Sequence, residues 1–190
     1  MLERVLAAVT AVSDPGRAVV VGRPDGVPAG FTVVADDPPD GGPAAAIGRG
    51  AAVLGSLDAP GPSPDASRSE AVRGVVFVLA ADLPFITGSD LLALETERRR
   101  HDADVAMAVD RDGHRQPLCA VWRHEALIAA VVGRRDAAGL HGRPVRVLLE
   151  GLRVHEVADT VGFSTDVDTP GDLERAREVA AQMERSKPSQ

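Results

Sequence analysis

The chain has 190 residues, 44% hydrophobic and 26% charged, an ordinary globular balance for one domain with a sizeable core. Its formal charge of −7 argues against a nucleic-acid or anionic-membrane surface, because both partners reward clustered positive charge. No apolar run approaches the roughly 18–20 residues of a membrane span, Met1-Leu2-Glu3-Arg4 opens no secretion signal, and the single Cys119 cannot form an internal disulfide, so a cytoplasmic protein with a small-molecule substrate is expected.

Leu2, Val5, Leu6, Val9 and Val12 recur at helical spacing and predict an amphipathic first helix that begins without a cap. The β-branched run Arg17–Gly22 and the segment Gly30–Ala35 predict two buried strands. Gly41-Gly42-Pro43 then opens a second helix running to Leu54, with the proline at its first turn. Residues 55–70 are rich in Pro, Ser, Gly and Asp without periodicity and predict a flexible surface loop inside a single domain of residues 1–185. The unbroken apolar run Gly74–Ala81 predicts a parallel strand covered on both faces. A helix over Thr87–Arg100, capped by Thr87 or Ser89, and a strand over Asp104–Val109 follow; Arg98-Arg99-Arg100 reads as a solvated helix end that complements the helix dipole. Arg111-Asp112-Gly113-His114 reads as a turn into a strand through Leu118 to Trp122. Helices over 125–132 and 143–149, a strand over 153–157, a final helix signalled by Thr169-Pro170-Gly171-Asp172 and a frayed tail over 186–190 complete the chain. This alternation gives an α/β fold of three layers, a mostly parallel sheet with helices on both faces.

In such sheets ligands bind beyond the carboxyl ends of the strands. Aspartates stand there at Asp36-Asp37, Asp82 and Asp166/Asp168. Asp82 ends the most hydrophobic run in the chain; with Asp168 it offers hard oxygens of the kind Mg2+ takes, or it forms a turn while Asp168 belongs to a helix-start signal. Gly41-Gly42 lets backbone approach a ribose or base, or makes a tight loop with no ligand. There is no P-loop, dinucleotide fingerprint or Gly-x-Ser-x-Gly elbow, and the histidines at 101, 114, 124, 141 and 155 show no metal-ligand spacing.

In order and spacing, Val33–Pro43, Val78–Phe85, Asp112–Trp122 and Asp166–Leu173 resemble the molybdenum-cofactor guanylyltransferases, a nucleotidyltransferase family with the nucleotide-diphospho-sugar transferase fold. The resemblance implies transfer of GMP from GTP to molybdopterin with release of pyrophosphate and Mg2+ as cofactor. Asp82 would hold the metal and the phosphates, Asp168 would line the metal side, Asp36 or Asp37 would contact the nucleotide, and Arg115 and Gln116 would shape the pterin side. Molybdoenzymes or other cofactor-biosynthesis proteins would be its partners. The family opens with a strand and a glycine-rich Leu-Ala-Gly-Gly loop followed by a lysine, which this sequence lacks: the first strand, central in the sheet, is expected to be missing. The chain is then an enzyme whose coding start lies further upstream, a truncated non-catalytic paralogue that binds a partner or nucleotide, or a relative using CTP or a sugar or lactate phosphate.

Overall fold

The computed structural model describes residues 1–36, 39–57, 74–134 and 139–165. Helix α1 spans Leu2–Val12 and buries Val5, Leu6, Ala8 and Val12 on one stripe, as the spacing requires. A short 3-10 turn over Pro15–Arg17 leads into β1, Val19–Val21, which pairs in parallel with β2, Thr32–Val34. Helix α2 runs Gly42–Leu57, extending three residues into the span expected to be loop, because its Ala-rich sequence sustains the helix past Leu54. The remainder of that loop, the final helix and the tail lie outside the described residues.

Strand β3, Val75–Leu79, is followed by helix α3, Gly88–Arg100. Thr87 caps α3 in a reciprocal box: its hydroxyl accepts from Asp90 N–H, while the Asp90 carboxylate accepts from Thr87 N–H at 2.9 Å. Strands β4, Val105–Val109, and β5, Arg115–Arg123, are joined by the expected turn, in which Gly113 takes φ +84°. Helix α4, His124–Val132, and strand β6, Val154–Ala158, complete the described fold. The helix expected over 143–149 is instead a 3-10 turn, Val145–Leu149: Pro144 precedes it, and five residues are too few for a stable α-helix.

The larger sheet has the order β3-β5-β4-β6, in which β3, β4 and β6 run the same way and β5 runs against them. Alternation along its central strands separates two cores. Val105, Met107, Ala120 and Trp122 point into one, covered by α2, α4 and the 3-10 turn; Ala106, Ala108, Cys119 and Val121 point into the other, covered by α1 and α3. This is the expected three-layer arrangement. Close approach of α1 and α3 depends on Gly88, where an added Cβ would lie 2.7 Å from the Ala11 methyl carbon.

The sheet is divided. Gly74 C=O accepts from His124 N–H and Ala80 N–H donates to Leu118 C=O, so the even-numbered residues of β3 bond to β5. Antiparallel alternation then turns the N–H and C=O of Val75, Phe77 and Leu79 toward the opposite edge. No strand among the described residues pairs with that edge, and β1 and β2 form a separate sheet. Helix α2 joins the two, packing Ala44, Ile47 and Ala51 with Val76 and Val78 of β3 while Gly50 lies against Val21 of β1. The fully covered strand expected at 74–81 is therefore only partly buried along its length, because it stands at an edge.

The charged end of α3 also departs from expectation. Arg98 is not solvated: it is 7% exposed and donates from Nε and Nη2 to the two oxygens of Glu95, 2.7 and 3.0 Å away, with Nη1 donating to Ala103 C=O.

Candidate functional site

Beyond Leu79 the chain turns through Ala80, Ala81 and Asp82, and buried Leu83 and Ile86 anchor the turn to the core. Asp82 is thereby held half-buried on the wall of a cleft of about 420 Å³. Pro43 at the start of α2, Gln116 to Cys119 of β5, and Pro144 to Arg146 line the rest. The β5 wall has a local cause: between Met107/Ala120 and Ala108/Gln116 the register slips, leaving Pro117, Leu118 and Cys119 as extra residues of a bulge. Proline lacks the N–H that a regular ladder position would use, so it suits the bulge, and the bulge turns this segment into the cleft.

Gln116 is fixed from behind. Its Nε2 donates to Asp110 Oδ2 at 2.9 Å, which leaves its amide oxygen as an acceptor. Asp110 in turn accepts at Oδ1 from the N–H groups of His114 and Asp112, and these hydrogen bonds, that from His114 foremost, lower its pKa. Cys119 forms an apolar part of the lining: burial, with smaller contributions from the charges of Asp159 and Asp90, pushes its thiol pKa up to about 12, so it is no nucleophile. Arg146 lines the same cleft and has no ion-pair partner among the described residues. Sequence reasoning passed it over; the signal available was a lone arginine inside the apolar run Val145–Leu149.

Of the other expected residues, Asp36 follows β2, and its Oδ1 is buried with no hydrogen-bond donor among the described residues. Gly41 and Gly42 lie at the start of α2; Gly42 takes φ +78°, and Gly41 C=O accepts from Gly142 N–H at 2.7 Å, which ties this loop to the segment before Arg146. Arg115 is exposed and does not line the cleft, since its Nε donates to Glu156 of β6 at 2.7 Å. Asp37 and Asp168 lie outside the described residues. Asp159, a strand-end aspartate that the sequence reading did not single out, is 3% exposed and organises its own loop, accepting from Val161, Gly162 and Ser164 N–H and from the Ser164 hydroxyl. Among the described lining residues Asp82 supplies the carboxylate, the hard oxygen donor of the kind that would suit Mg2+.

A three-layer α/β domain whose cleft lies beyond the strand ends, with Asp82 and Arg146 on its wall, is of the class that binds small-molecule ligands there. The chain belongs to the MobA-like NTP transferase domain family, whose profile matches residues 1–147, and it is thus a nucleotidyltransferase domain. Its fold is similar to molybdopterin-guanine dinucleotide biosynthesis protein A from Archaeoglobus fulgidus, with TM-score 0.52 and 23% identity over 80% of this chain and 70% of that one. It is also similar to 2-C-methyl-D-erythritol 4-phosphate cytidylyltransferase from Thermus thermophilus, with TM-score 0.60 and 16% identity over 95% and 88% of the two chains. No curated protein matches the sequence.

Proposed function

We propose that the chain transfers GMP from GTP to molybdopterin, forming a guanine dinucleotide cofactor and pyrophosphate. An acceptor phosphate oxygen attacks the α-phosphorus of GTP, and the bond from that phosphorus to the bridging β-phosphate oxygen breaks. Such chemistry needs positioning and charge neutralisation more than covalent help from the protein. The observation that carries the proposal is that Asp82 and Arg146 line one cleft beyond β3. Asp82 would hold Mg2+, with Asp168 on the same side, and the bound metal would neutralise phosphate charge. Arg146 would take phosphate oxygens. Asp36 or Asp37, with Gly41 and Gly42, would contact the nucleotide. Gln116 would present its amide oxygen to the acceptor, and Arg115 would reach an acceptor only by exchanging Glu156 for it.

A second reading, CTP as donor, is supported by the likeness to the cytidylyltransferase fold. Pyrophosphate release from Mg-GTP and Mg-CTP, with and without molybdopterin, separates the two. Release with GTP that depends on molybdopterin is expected. Release with CTP alone moves the assignment to the cytidylyl branch, and nucleotide binding without any turnover replaces it with a non-catalytic paralogue.

A further inference from the structure

The fold gathers three ligand atoms on the outer edge of the sheet, away from the cleft. Glu97 stands on the last turn of α3 and His101, four residues on, is its C-cap residue, which keeps the two side chains close enough to meet. His155 comes from β6, where it pairs with Ala106 of β4. Glu97 Oε2 lies 3.5 Å from His101 Nε2 and 3.7 Å from His155 Nε2, and all three atoms lie within 4.8 Å of one another. The other carboxylate oxygen of Glu97 faces Arg100 Nη1 at 3.7 Å. Strands β5 and β4 separate this edge from β3, a lateral distance of about 14 Å at the usual strand spacing.

From these positions we infer that Glu97, His101 and His155 form a binding site for a first-row transition-metal ion such as Zn2+. Hydrogen bonds between such groups close at about 2.9 Å, and neither distance to Glu97 does so. Both instead approach the edge of a tetrahedron, about 3.3 Å, whose corners stand about 2.0–2.1 Å from a central zinc. Two imidazoles and one carboxylate are a donor set for Zn2+, Ni2+ or Fe2+ and are poorly matched to Mg2+, so this site is chemically distinct from the one proposed at Asp82. His101 and Glu97 are partly exposed, which leaves a path for the ion and room for a water as fourth ligand. The two imidazole rings are stacked, with centroids 3.7 Å apart and planes 14° from parallel. An imidazole lone pair lies in its ring plane, and two nearly parallel planes this far apart do not both pass through one ion, so metal binding turns the rings and opens the stack. The bound ion would clamp the end of α3 to β6, two elements otherwise joined here by side-chain contacts.

Titration of the full chain with Zn2+ by calorimetry tests the site. One ion per chain is expected, with a thermal midpoint raised by about 5 °C at a hundredfold excess of zinc over Kd. His101→Gln and His155→Gln should each weaken binding at least tenfold and abolish the rise, whereas His114→Gln should change neither. Absence of binding at about 100 µM Zn2+, which a site with a micromolar Kd would saturate, would overturn the inference. So would affinity that survives both glutamine substitutions, or that falls with His114→Gln. None of these readings depends on nucleotide binding or turnover.

Discussion

Gln116 reaches the cleft with its amide nitrogen already committed to Asp110, 2.9 Å behind it. The turn that carries Asp110 thus sets the orientation of a side chain on the β5 wall. Asp110→Ala should release Gln116 and loosen the turn while leaving the sheet intact. If Gln116 contacts the acceptor, KM for the acceptor should rise about tenfold, the equivalent of one charge-assisted hydrogen bond, with KM for the nucleotide unchanged. An equal rise in both constants would remove Gln116 from the acceptor side.

Glu95 and Arg98 form a bidentate pair inside the α3 interface, 3% and 7% exposed. Removing one partner strands the other charge. Glu95→Ala should cost about 3–5 kcal/mol in urea unfolding, whereas the double replacement Glu95→Leu with Arg98→Met should recover most of that loss. A single variant that unfolds at the wild-type urea concentration would show the pair to be energetically idle.

Acid stability should follow from four aspartates. Asp102 and Asp104 have lowered pKa values, chiefly through hydrogen bonds from Arg153; Asp110 is lowered chiefly by His114 N–H. At Asp159 burial pushes upward, but hydrogen bonds from Ser164, Gly162 and Phe163 outweigh it and the net shift is down. A carboxylate with a lowered folded pKa contributes stability above its unfolded value of about 3.9, and that contribution is lost as pH falls through the folded value. The unfolding free energy should therefore be level from about pH 6 to about pH 5 and fall below about pH 4. Asp159→Ala, which removes the acceptor of the Val161, Gly162 and Ser164 N–H groups and of the Ser164 hydroxyl, should cost about 3 kcal/mol at neutral pH. A stability that stays flat through strong acid would contradict this account.

Cys119 should resist alkylation. With its pKa pushed up to about 12, its thiolate fraction at mildly alkaline pH is about a thousandfold below that of a thiol at the reference value of 9.0. Iodoacetamide labelling followed by mass spectrometry should show reaction only in denaturant. Rapid labelling of the native chain would mean that the cleft opens to the sheet.

Much of this was legible because local signals coincide with the structure. The apolar run at 74–81 contains β3, Thr87 is the cap, and Asp82 stands where a strand-end rule places a ligand. What escaped depends on pairing distant in sequence. His101 and His155 show no ligand spacing along the chain, and only the β4–β6 ladder beneath α3 stacks them. Arg98 looked solvated because a charge near a helix end usually is, and nothing local announces that Glu95 turns inward beside it. Arg146 lies in the segment expected as a helix over 143–149, which is instead a 3-10 turn with Arg146 lining the cleft.

The nucleotide assignment rests on Asp82 and Arg146 acting on one ligand, and equilibrium binding of GTP to the full chain, with and without Mg2+, tests that most directly. Affinity that requires Mg2+ and falls at least tenfold, about 1.4 kcal/mol, in both Asp82→Asn and Arg146→Ala is the expected result. GTP binding that ignores Mg2+ and survives both substitutions would place the nucleotide elsewhere on the protein.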